Sequence, residues 1–443
     1  MPVTVPVTGS STYWCEHAWL PGGVASGVRI DVADGRITVV STGQPRTGSV
    51  REGLTLPGLA NVHSHAFHRA LRGRTHHDRG TFWTWRERMY ALAERLDPDS
   101  YYRLARGVYG EMVLAGYTSV AEFHYLHHAA GGTPYADPHA MSAALVAAAD
   151  DAGIRLCLLD TCYLAGGFDV ELRGVQPRFG DGTAEAWAER VTGFSPRADH
   201  VVLGAAVHSV RAVPERALSV VAECANGRPL HVHLSEQRAE NEDSVRALGR
   251  TPTRVLDDNG VLGPNTTAVH ATHLTNGDMS TLARSRTRAC FCPTTERDLG
   301  DGIGPATSLA ERGVRLCLGS DSHAVIDPFE ETRALELNDR LAAEARGRFA
   351  VDELLAAATA HDALGMPDAG RLEPGARADL VTVDLRSPRT AGIEADGVFF
   401  AAGAADVTDL LVAGRAIVRD RQHRLIERPH AVLTDEIERL WRS

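Results

Sequence analysis

The spacing of hydrophobic residues divides the chain into a central part and two flanking parts. Near both ends, apolar and polar residues alternate, as in VRIDVADGRITVVST, ADLVTVDL and DLLVAGRAIVRD. A period of two is typical of β-strands that bury one face. Neither end is long enough to bury a sheet face alone. We therefore expect residues 1–55 and 371–443 to form one small β-sandwich domain together.

The central part, residues 56–370, alternates strand-like apolar runs with helical stretches. Segments such as YYRLARGVYGEMVLAGY and AMSAALVAAADDAG have apolar residues at helical spacing and carry glycine as the last or second-last residue. The strand-like runs are, in chain order, LPGLANVHSH, TSVAEFHYL, RLCLLDTCYL, VVLGAAVHSV, LHVHLSEQ, TAVHATHL, ACFCPTTERD and VRLCLGSDSH. Eight strands that alternate with helices predict an α/β fold, a closed parallel (β/α)8 TIM barrel. An open doubly wound sheet is the alternative, but no glycine-rich phosphate fingerprint follows the first strand.

Polar side chains concentrate at the carboxyl ends of these runs, where the loops of a parallel barrel form the active site. His63 and His65 form an H-x-H pair whose side chains point to the same side of a strand. His233 lies in the fifth run, and Asp321 ends the eighth, which is adjacent to the first in a closed barrel. Three imidazoles and a carboxylate favour a divalent ion, Zn(II) above all, with iron or manganese as the alternatives.

A hydrolytic metal site activates water and needs groups that move protons. Glu236 lies three residues past the ligand of the fifth run, and we predict it to be the proton shuttle. His270 ends the sixth run and is expected to hydrogen-bond the reacting group, with His273 as its competitor. Asp321 is expected to accept the first proton from water. His231 shares a strand face with the fifth-run ligand and is an alternative ligand.

Charge and cysteine usage narrow the class of protein. The chain has 443 residues and a formal net charge of -11, which argues against nucleic acid or an anionic membrane as the main partner. No apolar run reaches the roughly 18 residues of a membrane span, and MPVTVPVTGSSTYW lacks the features of a signal peptide.

The seven cysteines lie singly or, at Cys290 and Cys292, as C-x-C in apolar runs, as buried free thiols do. A reducing cytoplasmic location is therefore expected.

The chain contains no lysine, so all 46 basic residues are arginine. This excludes Schiff-base chemistry and a carboxylated lysine that bridges two metal ions, and it favours one ion over two. A binuclear hydrolase of cyclic amides thus becomes the weaker alternative. Arginine is also the only strong fixed cation that could bind an anionic substrate.

Several motifs together resemble one known group of enzymes. PGLANVHSHAFHRALRG, HLSEQ, VHATHL, CPTTERDLGDG and LGSDSH resemble the amidohydrolase superfamily, in its mononuclear deaminase branch. FWTWRERMY and CPTTERDLGDG are similar to the members of that branch that act on N-formimidoyl-L-glutamate in histidine degradation. The resemblance implies hydrolysis of this substrate to N-formyl-L-glutamate and ammonia, and a homodimer.

The resemblance also implies roles for individual residues. It implies one zinc ion at His63, His65, His233 and Asp321, catalysis by Glu236 and His270, and substrate contacts at Arg86, Tyr125, His208 and Arg211. His68 stands where the family usually has glutamine, so its substrate contact depends on how the imidazole is protonated.

The expected substrate agrees with the chemistry of these residues. Formimidoylglutamate is a dicarboxylate with a cationic formimidoyl group, and two arginines near the barrel mouth could each pair with a carboxylate. Arg88 is the nearby alternative to Arg86. Other hypotheses are a related deaminase that acts on guanine or S-adenosylhomocysteine, and an inactive barrel that serves as a binding scaffold.

Overall fold

The computed structural model describes residues 9–76 and 80–442, apart from the side chains at positions 82 and 83. Its strands form two separate eight-stranded sheets. The strands of the first sheet are β1 (Ser10–Leu20), β2 (Gly23–Ala33), β3 (Arg36–Ser41), β4 (Ser49–Pro57), β13 (Leu380–Val383), β14 (Val407–Val412), β15 (Arg415–Arg419) and β16 (Gln422–His423). Those of the second are β5 (Leu59–Ser64), β6 (Tyr117–His124), β7 (Arg155–Cys162), β8 (Val201–Val207), β9 (Leu230–Leu234), β10 (Thr266–His270), β11 (Arg288–Phe291) and β12 (Leu316–Leu318).

The second sheet is the predicted barrel. Its strands follow one another in chain order from β5 to β12, and every neighbouring pair is parallel. A parallel bridge between Ser64 and Asp321 closes the circle, and the backbone N–H of Asp321 donates to the carbonyl of His63 at 2.9 Å. The eight strand-like runs of the sequence correspond to these eight strands. The predicted (β/α)8 fold is confirmed, and its closure brings the first and eighth strand ends together.

The helices begin and end where the sequence carries stop and start signals. They are α1 (Phe82–Glu94), α2 (Pro98–Ala115), α3 (Ala140–Ala152), α4 (Ala184–Gly193), α5 (Glu215–Ala225), α6 (Arg238–Leu248), α7 (Pro252–Asp258), α8 (Asn276–Ser285), α9 (Pro293–Leu299), α10 (Ala306–Glu311), α11 (Pro328–Ala343), α12 (Val351–Ala358), α13 (Val398–Ala401) and α14 (Pro429–Arg442). Asp97 caps α2 by accepting from the Ser100 N–H at 2.7 Å. Gly116 ends the same helix in the left-handed region, at φ 114°.

The first sheet combines both ends of the chain, as the alternating pattern predicts. Strand β4 lies at its centre, parallel to β1 and antiparallel to β13. The buried guanidinium of Arg155, at the start of β7, donates to the Asp379 carboxylate at 3.0 Å, just before β13. This ion pair attaches the terminal sheet to the barrel at the amino-terminal end of its strands, which is the end opposite the active site.

The C-terminal helix α14 packs against the barrel rather than against the terminal sheet alone. Arg103 of α2 donates to Glu436 at 2.7 Å, and the Trp441 indole N–H donates to the Ala70 carbonyl at 2.9 Å. The division into 1–55 plus 371–443 and 56–370 stays a prediction, and residues 1–8 of it lie outside the described part. Among the helices of the described ranges, none has the length and apolar character that a membrane span requires.

Candidate active site

Four side chains from three strand ends converge at the carboxyl end of the barrel. The Nε2 atom of His233 lies 3.1 Å from that of His63 and 3.3 Å from that of His65. The Oδ1 atom of Asp321 lies 3.3 Å from the Nε2 atoms of both His63 and His65. A tetrahedral ion with bonds of about 2.0 Å holds its ligand atoms about 3.3 Å apart. The four atoms therefore have the spacing that a divalent metal ion requires.

Hydrogen bonds at Nδ1 fix the ring orientation of two of these histidines, so that Nε2 points toward the other three side chains. The Nδ1 atom of His65 lies 3.0 Å from the Phe123 carbonyl, and Nδ1 of His233 lies 2.9 Å from the His208 carbonyl. Because a carbonyl only accepts, each Nδ1 carries the proton and each Nε2 keeps its lone pair. Burial holds the pKa of His63, His65 and His233 well below its ordinary value. Neutral imidazoles that face one carboxylate are a suitable donor set for a cation.

The backbone around the centre is under steric constraint. Ser235, His270, Ala271, Asp321 and His323 all have positive φ, between 40° and 69°, although none is glycine. Left-handed conformations of this kind are costly for residues with a Cβ and concentrate at functional sites.

A glycine allows β12 to approach β5 beside the first ligand. A Cβ atom added at Gly319 would lie 2.7 Å from the Cβ of His63 and 2.8 Å from its carbonyl oxygen. No side chain fits at that distance. Gly319 therefore sets the spacing between the strands that carry His63 and Asp321.

His270 lies next to the predicted proton shuttle and is surrounded by carboxylates. Its Nε2 is 3.8 Å from Glu236 Oε1 and 3.8 Å from Asp321 Oδ2, and its Nδ1 is 3.4 Å from Glu296 Oε1. Burial opposes charge on His270, but the three carboxylates outweigh it and raise its pKa to about 10. Burial also raises the pKa of Glu236. The pair combines a cationic imidazole with a carboxyl group able to hold a proton.

The structure separates the alternative histidines from this cluster. His231 Nε2 lies 3.2 Å from the Ala363 carbonyl, and the ring is completely buried. His273 Nε2 lies 2.8 Å from the backbone carbonyl of Asp301, where it supports a loop. Neither belongs to the potential ligand groups found among the described residues.

The predicted substrate residues share one pocket with the metal cluster. Its lining includes His65, His68, Arg86, Tyr125, His208, Arg211, His233, Glu236, His270 and Asp321. His63 lies beneath it, fully buried. Arg88 is exposed and does not line the pocket, so Arg86 is the arginine of FWTWRERMY that faces the site.

Arg86 is held by residues that the sequence did not identify. Its Nε donates to the Tyr90 hydroxyl at 2.7 Å. The Gln176 amide donates to the hydroxyls of Tyr90 and Tyr163, each at 3.1 Å. Tyr90 is one helical turn after Arg86, a spacing that could have suggested the contact. Tyr163 and Gln176 come from the segment after β7, and no local pattern links them to α1.

His68 is fixed by a short hydrogen-bond chain. Its Nε2 lies 2.9 Å from the Tyr125 hydroxyl, which donates to the Met89 sulfur at 3.7 Å. The Tyr125 hydroxyl therefore accepts from the Nε2–H of His68, and the lone pair of the imidazole is on Nδ1. That Nδ1 atom is buried and has no hydrogen-bond partner among the described residues. Burial lowers the pKa of His68 to about 4. At neutral pH, His68 thus offers an acceptor, where glutamine could offer a donor.

Comparison with known proteins assigns the fold and site to a family. The model of the amidohydrolase family matches residues 54–417. The chain therefore belongs to the amidohydrolase family, whose members are metal-dependent hydrolases, in agreement with the cluster of three histidines and one aspartate.

Individual relatives cover nearly the whole chain. The chain is 40% identical over 441 residues to formimidoylglutamate deiminase of Pseudomonas aeruginosa, an alignment that covers 94% of this chain and 97% of that protein. It is 30% identical over 430 residues to 5-methylthioadenosine/S-adenosylhomocysteine deaminase of Pelotomaculum thermopropionicum, with 91% of each covered. The crystal structure of an amidohydrolase from Brucella melitensis superposes with a TM-score of 0.90 at 33% identity, covering 97% of this chain and all of that one.

Proposed function

We propose that this chain hydrolyses N-formimidoyl-L-glutamate to N-formyl-L-glutamate and ammonia. The observation that carries the proposal is one pocket in which Arg86 and Arg211 stand beside the three-histidine, one-aspartate cluster. The 40% identity to formimidoylglutamate deiminase of Pseudomonas aeruginosa supports the same substrate.

The pocket has complementary groups for each part of this substrate. The two carboxylates can pair with Arg86 and Arg211, since a guanidinium binds a carboxylate through two parallel hydrogen bonds. The formimidoyl cation would then face the acidic groups Glu236 and Asp321. His68, Tyr125 and His208 line the wall between these two regions and are proposed as further substrate contacts.

His63, His65, His233 and Asp321 would hold the metal ion, which we propose to be a single Zn(II), with iron as the alternative. When bound, such an ion lowers the pKa of a water molecule toward neutrality and so supplies the nucleophile. The remaining steps are performed by the side chains of the chain itself.

Protons move between carboxylates that lie within reach of the reacting carbon. Asp321 accepts the first proton from water, and Glu236 protonates the departing nitrogen. The imidazole of His270, held between Glu236 and Asp321, would hydrogen-bond the oxygen that adds to the formimidoyl carbon and so stabilise the tetrahedral centre. An amidinium ion and water yield an amide and an ammonium ion, so the reaction needs no proton from solvent.

We further propose a cytoplasmic homodimer. All seven cysteines are free, and six of them are buried, which suits a reducing compartment. The homodimer follows from the resemblance to the deaminase branch.

A steady-state assay tests the proposed substrate against the alternatives. We expect metal-loaded protein to release ammonia from formimidoylglutamate with a kcat/KM at least about a hundredfold above that for S-adenosylhomocysteine or guanine, because the purines cannot use both arginines. Ammonia would be measured by a coupled dehydrogenase. Preferred turnover of a purine would replace the proposal with the related deaminase, and no turnover of any substrate would favour a binding scaffold.

A further inference from the structure

The two arginines of the pocket differ in how they are held. Arg86 is anchored by Tyr90, as described above. Arg211, which follows β8, makes no hydrogen bond through its guanidinium to any residue of the described ranges. Its closest ionic partner is Glu240, with Nε 3.9 Å from Oε1. The side chain of Arg211 is 23% exposed and that of Glu240 only 3%.

Glu240 lies in the first turn of α6 and does not line the pocket, whereas its ionic partner Arg211 does. Its Oε1 is buried and has no hydrogen-bond partner among the described residues. Burial raises the pKa of the Glu240 carboxyl group, and the positive charge of Arg211 is the largest influence that lowers it. A buried carboxylate is stable only when it is paired, and Arg211 is the cation that faces it. The amino-terminal end of α6 further favours a negative charge there.

We propose that Glu240 is a positioning residue that orients Arg211 so that its guanidinium binds a carboxylate of the substrate. Because Glu240 does not line the pocket, an anion entering from the pocket meets the other edge of the guanidinium. An ionic partner at 3.9 Å restricts the conformations open to the flexible arginine side chain. The identity of the substrate in this inference rests on the proposed function, whereas the pairing of Arg211 with Glu240 does not.

The test compares Glu240→Gln with Glu242→Gln, an exposed glutamate on the same helix, in metal-loaded full-length protein. Glutarate serves as an unreactive dicarboxylate probe, and its Kd is measured by calorimetry. We expect Glu240→Gln to raise the Kd of glutarate and the KM of formimidoylglutamate about tenfold, with kcat changed less than about threefold. Glu242→Gln should match the wild type. A fall in kcat at unchanged KM would indicate that Glu240 acts through Glu236 rather than through Arg211, and it would overturn the proposal.

A double-mutant cycle separates positioning from a general structural role. Arg211→Gln alone should weaken glutarate binding, and adding Glu240→Gln should weaken it no further, because the arginine that Glu240 positions is already gone. Additive losses in the double mutant would contradict the proposal. If wild-type protein binds glutarate but does not turn over formimidoylglutamate, the proposed function fails while this inference stands.

Discussion

Glu236→Gln should lower kcat by about three orders of magnitude while the metal content stays at the wild-type level. Glutamine has nearly the same shape but cannot hold the proton that Glu236 is proposed to give to the departing nitrogen. Glu236 lies 3.8 Å from His270 and is not among the four convergent ligand atoms, so the metal cluster should remain intact. Burial raises the pKa of Glu236, as expected for a group that must hold a proton during the reaction.

Two measurements on the same preparation check this prediction. Turnover is followed by ammonia release, and metal content is measured by mass spectrometry. Glu242→Gln is the matched control, because it makes the same change at an exposed position on α6. Near-normal turnover in Glu236→Gln with full metal content would show that another group moves the proton.

His233→Ala should remove both the metal ion and the activity. The Nε2 atom of His233 lies 3.1 Å from that of His63 and 3.3 Å from that of His65. Without the His233 imidazole, one of the four predicted ligand positions is empty. Loss of even an outer-shell partner weakens metal binding by about 10- to 100-fold, and loss of a direct ligand should exceed that. We expect metal content below about a tenth of an ion per chain after dialysis.

The control for this variant is His273→Asn, which alters the competing histidine beside the pocket. It should keep the metal ion, because His273 bonds to a backbone carbonyl at 2.8 Å and contributes no atom to the cluster. A chelator should inactivate the wild type, and added Zn(II) should restore it but not His233→Ala. Full metal content in His233→Ala would mean that the ion is held elsewhere.

The site residues at the strand ends could be predicted because the same arrangement of apolar and polar residues recurs along the chain. Each apolar run carries its polar residues at one end, and barrel closure then requires His63 and Asp321 to be neighbours. The bridge between Ser64 and Asp321 realises that requirement. The fold and the grouping of the four predicted ligand residues thus followed from repeated local patterns and one topological rule.

The side chains that support the site were not predictable in the same way. Glu296 belongs to a motif that the sequence makes visible, but its contact with His270 depends on how α9 packs after β11. Gln176 reaches Tyr90 across 86 positions of sequence. Such contacts join segments that follow different strands, and no regular spacing along the sequence relates these segments to one another. The proton position on His68 likewise depends on Tyr125 and Met89, two residues that only the folded chain brings together.

The packing of the C-terminal helix α14 also could not be predicted from local sequence patterns. The alternating pattern assigns residues 371–443 to the β domain and does not predict α14, which the structure shows as a helix over Pro429–Arg442. The structure places Leu433 against Gly107 of α2, where an added Cβ would come within 2.8 Å of the leucine side chain. The helix thus packs closely against the barrel at a position where α2 has no side chain.

A competition experiment tests the central claim most directly. Metal-loaded protein is given formimidoylglutamate and S-adenosylhomocysteine in equal amounts, and both are followed in one tube by proton NMR. We expect N-formylglutamate and ammonia to appear in equal amounts while S-adenosylhomocysteine remains unchanged. Deamination of the purine ahead of any formyl signal would contradict it.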